Sequence, residues 1–184
     1  LTNIETIRTS TSAIVGIDVD SSGNIYTGGY DTRLHKFNSS LVEQWNKNLS
    51  VDSIRNLHVL PNGNVVTSNT SIRYYLADGS SPTLGTWTYN ITRPCRLTSD
   101  SSNNIYATVY DYIGSMERFV CLNVSGARQW GITSSFNLGF AQRIENDIYI
   151  AGAYNTTFNI SKVNIIDQKL IGMFSAKNNA GLLY

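Results

Sequence analysis

Short apolar segments that alternate with polar residues recur along the chain, and most of them lead into a polar turn. The first segment, 14–19, alternates toward a turn at 21–24, and apolar residues return at 25–29. Alternation over four to eight residues predicts a half-buried β-strand, and no stretch shows the spacing of an amphipathic helix. The pattern therefore predicts an all-β fold of short strands joined by tight turns.

The first hairpin motif returns three times at a nearly constant spacing. Its apolar anchors lie 40, 40 and 43 residues apart, at Ile25, Val65, Ile105 and Ile148. A second marker, a large aromatic residue late in each unit, occurs at Trp45, Trp87, Trp130 and Phe174. Two markers in one phase indicate a repeat of about 40 residues with four strands, which is typical of a propeller blade. We interpret the aromatic residues as packing groups between neighbouring blades.

The repeat divides the chain into four predicted blades, at 13–52, 53–93, 94–136 and 137–175. Residues 1–12 are predicted to be an outer strand of a preceding blade or an N-terminal extension, and 176–184 the first strand of a further blade. The expected fold is an all-β β-propeller with about four four-stranded blades, within a larger propeller of seven or eight blades. Further sequence or a partner chain would supply the rest, and a compact four-bladed ring is the alternative.

The unit that starts D-S-S-G-N-I-Y-T-G-G at Asp20 and ends L-V-E-Q-W at Trp45 resembles the PQQ-like and WD40-like propeller repeats. The resemblance covers about residues 13–175. Phe37-Asn38 stands where WD40 repeats carry Trp-Asp, and the turn before Trp130 resembles the PQQ pattern. Such repeats occur in phage tail or other virion proteins and in bacterial secreted proteins. The resemblance therefore implies a virion or an extracellular or cell-surface location.

Charge argues against nucleic acid as a partner, and hydropathy argues against insertion into a membrane. Lys and Arg total 14 against 13 Asp and Glu, and the charges are scattered singly along the chain. A protein with no net field and no basic stripe is not expected to bind nucleic acid. No run of about 18 apolar residues occurs, so no membrane insertion is expected.

Residues that carry chemistry are scarce. His35 and His58 lie in strand contexts of different units, and we interpret each as a structural residue. Asp18 and Asp20 stand two apart, where they suit an acid–base pair or a calcium site, but the stronger interpretation is that Asp20 caps its turn. No metal-ligand spacing, nucleophile motif or phosphate loop occurs. We therefore predict no catalytic residue, no metal and no cofactor.

The two cysteines, Cys95 and Cys121, lie in apolar strand-like segments. Two cysteines do not make a disulfide framework, so two buried thiols are expected, and a bridge between them is the alternative.

A binding surface is predicted where the loops between the second and third strands of each blade meet on one face. Tyr with adjacent Asp or Asn can stack on a sugar or peptide and hydrogen-bond its polar edge. The predicted ligand-binding residues are Tyr30, Asp31, Asn69, Tyr110, Asp111, Tyr112, Tyr154 and Asn155.

These observations predict a non-enzymatic propeller module for structural assembly or ligand recognition, and the resemblance implies that it belongs to a virion or a bacterial extracellular protein. Its partners are expected to be other protein subunits or a glycan. The alternatives are a lectin-like glycan-binding propeller and a fragment of a PQQ-like quinoprotein.

Overall fold

The structure, a computed structural model, describes residues 12–49, 53–69, 71–78, 96–108, 117–133, 137–154, 157–164 and 169–177. Within these ranges the chain forms fifteen β-strands in four sheets. The described residues include no helix that is long and apolar enough to cross a membrane. The all-β prediction is confirmed.

The strands of each sheet are consecutive in sequence, and each pairs antiparallel with the next. Sheet 1 contains β1 (Ile14–Val19), β2 (Ile25–Gly29), β3 (Arg33–Phe37) and β4 (Glu43–Asn48). Sheet 2 contains β5 (Asn56–Val59), β6 (Val65–Ser68) and β7 (Ile72–Tyr75). Sheet 3 contains β8 (Leu97–Ser99), β9 (Ile105–Thr108), β10 (Glu117–Leu122) and β11 (Arg128–Thr133). Sheet 4 contains β12 (Asn137–Ile144), β13 (Asp147–Tyr154), β14 (Thr157–Asn164) and β15 (Lys169–Lys177).

The first hairpin turns of sheets 1 and 3 show why the repeat motif is polar there. Oδ1 of Asp20 accepts from the backbone N–H groups of Ser22 and Asn24, both at 2.9 Å, so the predicted cap at Asp20 is confirmed. Gly23 has φ +78°, as a hairpin position with positive φ requires. In sheet 3 the same position is Asn103, at φ +64°, because Asn tolerates this conformation better than most other side chains.

Adjacent sheets pack face to face. We call the face that points toward the sheet that follows in sequence the forward face, and the opposite one the rear face. The forward face of sheet 4 is therefore the face opposite its contact with sheet 3, and the rear face of sheet 1 is the face opposite its contact with sheet 2. The strands in contact between sheets are β1 and β2 with β5, β5 with β8, and β8, β9 and β10 with β12. The first strand of each sheet therefore lies beside the first strand of the next, and no comparable contact joins the described strands of sheets 1 and 4.

Three apolar clusters fill the contacts between the sheets. The cluster between sheets 1 and 2 contains Tyr26, Leu34, Ile54, Val59, Val65 and Tyr75. The cluster between sheets 2 and 3 contains Leu60, Val66, Ile72, Tyr74, Ile105, Ala107, Val120 and Leu122. The cluster between sheets 3 and 4 contains Tyr106, Phe119, Cys121, Ile148, Ile150 and Val163. The core is therefore divided into layers, with each sheet shared between its neighbours.

The aromatic markers pack as the sequence predicts wherever their side chains are described. Trp45 packs partly buried against the cluster between sheets 1 and 2, with its ring centre 6.1 Å from that of Tyr26. Trp130 does the same between sheets 3 and 4, at 5.8 Å from Tyr106. Trp87 lies outside the described residues.

Cys121 is a free thiol in the cluster between sheets 3 and 4, and burial raises its pKa to about 11. The alternative of a bridge between Cys95 and Cys121 is therefore wrong. A thiol on the forward face of sheet 3 packs as a small apolar group against sheet 4. Cys95 lies outside the described residues.

The blade boundaries given by the repeat stay a prediction. β4 begins at Glu43, directly after Val42, whose carbonyl oxygen closes the preceding turn by accepting a hydrogen bond from the N–H of Asn38. The last strand, β15, runs to Lys177, past residue 175 at which the fourth predicted blade ends.

Candidate functional site

The loop between β2 and β3 carries Tyr30 and Asp31, the first pair of predicted ligand-binding residues. The side chain of Tyr30 is half exposed, while its backbone N–H donates to the carbonyl oxygen of Ala13 at 3.1 Å. Oδ1 of Asp31 accepts from the N–H of Arg33 at 3.2 Å, and Oδ2 lies 3.5 Å from Nε2 of His35. An exposed aromatic ring thus lies next to a carboxylate held by its own turn, which is a suitable element for polar ligands with an apolar face.

Of the other predicted residues, the structure describes Asn69 and Tyr154. Asn69 is half-buried in the connection from β6 to β7, where its N–H donates to the carbonyl of Ser71 at 3.1 Å. Tyr154 is the last residue of β13 and pairs with Thr157, so it lies at the strand end directly before the connection to β14. The eight-residue strands of sheet 4 leave only two residues for that connection. The remaining predicted residues lie outside the described ranges: Tyr110, Asp111, Tyr112 and Asn155.

A hydrogen-bonded relay joins the first strands of sheets 1, 2 and 3. Nδ1 of His58 lies 2.8 Å from Oδ2 of Asp18, and Nε2 of His58 lies 2.9 Å from Oγ of Ser99. Asp18 also accepts from the backbone N–H groups of Val59 and Val19, each at 2.8 Å. Burial alone would raise the pKa of Asp18, but the hydrogen bonds from His58, Val59 and Val19 outweigh burial and hold the pKa below its usual range. The relay therefore depends on an ionised Asp18.

The order Asp18–His58–Ser99 is that of a catalytic triad, but its surroundings favour a structural role. A nucleophile must reach a substrate, whereas Ser99 is only 7% exposed. Both ring nitrogens of His58 have partners from neighbouring sheets, which agrees with the interpretation of His58 as a structural residue. We interpret the relay as a polar link that ties the first strands of three sheets together.

Sequence reasoning missed this relay, although the repeat contains its signal. His58 follows Asp18 by 40 residues, and Ser99 follows His58 by 41. Because the repeat is about 40 residues long, such residues occupy neighbouring positions on successive first strands. A search for polar residues at the repeat spacing would have found it.

A groove of about 150 Å³ lies between the same first strands. Its lining residues are Val15, Gly16, Ile17, Asn56, Leu57, Arg96 and Leu97. Nδ2 of Asn56 is buried and has no hydrogen-bond partner among the described residues, but it is also shielded from solvent, so a bound molecule would not reach it. In the part of the chain that the structure describes, no three His, Cys, Asp or Glu residues gather at a point that could hold a metal ion.

The rear face of sheet 1 exposes apolar side chains along β1. Ile17 and Val19 project from this face into solvent. Val19 is 52% exposed, whereas its counterpart Val59, on the rear face of sheet 2, is 7% exposed because sheet 1 covers it. Farther out on the rear face of sheet 1, His35 and Phe37 are buried. The free apolar surface is therefore a strip along the first strand.

The forward face of sheet 4 is exposed in the same way. Ile144, next to the hairpin turn, is 57% exposed, and Ile160 is also exposed. The counterpart of Ile144 in sheet 2 is Leu60, which is 2% exposed because sheet 3 covers it. Tyr149 on this face is half-buried, while its counterpart Tyr26 in sheet 1 is buried under sheet 2. The described sheets thus leave one forward face and one rear face with exposed apolar groups.

Solved structures with the same arrangement of sheets are propellers. An alignment over 90% of this chain covers 54% of BamB from Moraxella catarrhalis, with a TM-score of 0.65 and 13% identity. The "Dos1 propeller" aligns with 90% of this chain over 48% of its own, with a TM-score of 0.69 and 11% identity. The computationally designed Ika4 protein aligns with 87% of this chain over 96% of its own, with a TM-score of 0.68 and 10% identity. The fold is that of a β-propeller.

The propeller prediction from the 40-residue repeat is therefore confirmed. This chain spans about half the length of the first two of these propellers. No family model matches the sequence, and no curated protein matches it. At such low identity the likeness to these propellers is one of fold.

Proposed function

We propose that this chain is a non-enzymatic β-propeller module that acts by assembling with other protein surfaces. The observation that carries the proposal is the exposure of Val19 on sheet 1 and Ile144 on sheet 4, whose counterparts in sheet 2, Val59 and Leu60, are buried. Contiguous apolar groups on a soluble protein mark an interaction surface.

The setting that we propose is a phage virion or a bacterial extracellular or cell-surface structure. The support for it is the resemblance of the repeat to propellers in such proteins. Display and assembly in these settings require a rigid scaffold, and the layered cores of this propeller provide one.

The test of the assembly role is the native mass of the protein by mass spectrometry and light scattering, combined with binding of a dye that fluoresces on apolar surfaces. The chain mass is 20.4 kDa. We expect a larger assembly, or a monomer that binds the dye through its free faces. A monomer that leaves the dye dark would overturn the proposal, because it would have no free apolar face.

A second candidate function is glycan recognition, favoured by the exposed ring of Tyr30 beside the carboxylate of Asp31. Aromatic faces stack on sugar rings, and an oriented carboxylate accepts hydrogen bonds from sugar hydroxyl groups. On a glycan array we expect Tyr30→Ala to abolish binding and Tyr30→Phe, which keeps the ring, to retain most of it. An array that stays blank for the parent protein would remove this candidate.

A further inference from the structure

We infer that the groove between the first strands of sheets 1, 2 and 3 is a binding site for the C-terminal residue of a peptide. The carboxylate of that residue would pair with Arg96, its amide group with the strand edges, and its apolar side chain with the apolar residues that line the groove. The inference goes beyond the proposed assembly function, because it does not depend on the exposed side chains of Val19 and Ile144.

The groove is built from two positions of the repeat that recur every 40 residues. The first position is apolar in each sheet and is occupied by Ile17, Leu57 and Leu97. The second position directly precedes it, changes from sheet to sheet, and is occupied by Gly16, Asn56 and Arg96. Each of the three sheets therefore contributes an apolar side chain, whereas sheet 3 alone contributes a charged one.

The groove runs along the edges of the first strands and not over their faces. Its lining includes consecutive residues of a strand, such as Gly16 and Ile17 of β1 or Asn56 and Leu57 of β5. One face of a strand would present alternate residues, because successive side chains point to opposite sides of the sheet. A ligand in the groove therefore meets main-chain groups as well as side chains.

The direction of these main-chain groups follows from the hydrogen bonds of the relay. The N–H groups of Val19 and Val59 both donate to the carboxylate of Asp18, so they are not used in the ladders with β2 and β6. Alternate residues of an antiparallel strand direct their N–H and C=O groups to the same side. Those of Ile17 and Leu57 therefore also point away from their ladders, and such strand edges hydrogen-bond the amide groups of an extended peptide.

Arg96 supplies the charge that orients the ligand. Its N–H donates to Oγ1 of Thr108 and its carbonyl oxygen accepts from the N–H of Thr108, each at 3.0 Å, so its backbone is fixed at the start of sheet 3. Its side chain is exposed and is the only charged one among the described residues that line the groove. The carboxylate of Asp18 does not belong to this lining and is bound to His58 and Val59. A guanidinium group has several N–H donors in a planar fork, so it can bind a carboxylate in addition to a contact within the protein.

The size of the groove selects a single side chain. Its volume is about 150 Å³. A cavity of about this volume accommodates a group of roughly the size of benzene, so a leucine side chain would fill the groove while the rest of the peptide extends into solvent. The width is set where a Cβ on Gly16 would lie 2.9 Å from Cβ of Leu57, because β1 and β5 are in close contact at this level.

The first experiment titrates isotope-labelled protein with two probes that differ in one group, N-acetyl-leucine and N-acetyl-leucinamide. Backbone amide signals followed by NMR report both the affinity and the place of binding. We expect N-acetyl-leucine to shift the signals of Ile17, Leu57 and Leu97 until they saturate. The uncharged amide should bind about tenfold or more weakly, because it has no carboxylate for Arg96.

Arg96→Gln tests the same contact from the side of the protein. It should weaken the binding of N-acetyl-leucine about tenfold or more and leave the binding of N-acetyl-leucinamide unchanged. Arg128→Gln is the matched control, because Arg128 is an exposed arginine at the start of β11 and outside the lining of the groove. This variant should bind both probes like the parent. Unchanged amide signals far from residue 96 show that the first variant keeps its fold.

A longer probe tests whether the ligand is the end of a peptide. A tripeptide that ends in leucine with a free carboxylate should bind at least as tightly as N-acetyl-leucine, because it adds main-chain hydrogen bonds to the strand edges. The same tripeptide with an amidated end should bind as weakly as N-acetyl-leucinamide.

Each part of the inference has its own contrary result. Signals that do not shift, or that shift over the whole surface without saturation, overturn the groove as a site. Equal affinity of the parent for the two N-acetyl probes overturns the contact with Arg96. A tripeptide that binds more weakly than N-acetyl-leucine overturns the peptide as the ligand. The proposed assembly function is tested separately, by native mass and dye binding.

Discussion

Val59 and Val19 are the same side chain at the same position of successive sheets, yet one is buried and the other is exposed. Val59 lies in the contact between sheets 2 and 1, where full burial of such a side chain is worth about 1.5–3 kcal/mol. Val19 has the same pattern around it but no described sheet against it. The burial of an apolar side chain in this propeller therefore depends on whether a neighbouring sheet packs against it. The repeat determines only that the side chain is apolar and on which face of the sheet it lies.

The sharpest test of this difference compares Leu60→Ala with Ile144→Ala. Leu60 is buried between sheets 2 and 3, and its truncation should lower the free energy of unfolding by about 2–5 kcal/mol. Ile144 is the exposed counterpart, so its truncation should change the free energy by less than about 0.5 kcal/mol at a concentration where the chain is monomeric. Urea unfolding followed by fluorescence measures both. Equal losses would show that the forward face of sheet 4 is covered.

The next prediction compares the stability contributed by the turns at Asp100 and Asp20, which share the same hydrogen-bond pattern. Oδ2 of Asp100 accepts from the buried hydroxyl of Tyr106 at 2.8 Å, whereas the corresponding bond from Tyr26 to the more exposed Asp20 is 3.2 Å. Asp100→Ala should cost about 1–3 kcal/mol, because it leaves several donors without an acceptor in a buried setting. We expect Asp20→Ala to cost less than Asp100→Ala under the same urea titration.

The dependence of stability on pH should follow the same carboxylates. Burial raises the pKa of Asp100, but hydrogen bonds from Asn104, Tyr106 and Ser102 outweigh it, so its pKa in the folded state is below its usual value. Such a group stabilises the fold above about pH 4, and this contribution is lost as the pH falls through the folded pKa. The free energy of unfolding should therefore decline in acid, and less steeply for Asp100→Asn. Glu145→Gln, at an exposed carboxyl group, is the control and should follow the parent.

The smallest effect concerns the relay between sheets. Ser99→Ala removes the partner of His58 Nε2 and should cost about 0.5–1.5 kcal/mol, the usual value of one hydrogen bond. If the relay is a structural link, Ser99 should not react with a fluorophosphonate probe in the folded protein. Labelling at Ser99 would instead support a nucleophile.

Much of the fold could be predicted because the repeat constrains it at several levels. Gly23 and Gly63 mark turns with positive φ, and the anchors Val65, Ile105 and Ile148 are buried in the cores between sheets. A local pattern that recurs in phase specifies strands, turns and the buried face together. The relay of Asp18, His58 and Ser99 was missed because no single repeat contains it.

The candidate site was less predictable, for a physical reason. Tyr30 and Asn69 belong to loops, whose positions depend on strand lengths that vary from sheet to sheet. Tyr154 shows this, since the longer strands of sheet 4 make it the last residue of β13. The exposure of Val19 and Ile144 also could not be predicted, because the sequence of a unit is the same whether or not a neighbour covers it.

Contacts only between successive sheets have a consequence for how such a molecule changes over generations. A duplicated or deleted unit would alter one layer of the core and leave every other layer as it was, since each layer involves two neighbours alone. The number of blades in a closed propeller would then be set by the angle between neighbouring sheets, and not by the sequence of any one unit. The same unit could therefore build propellers with different numbers of blades.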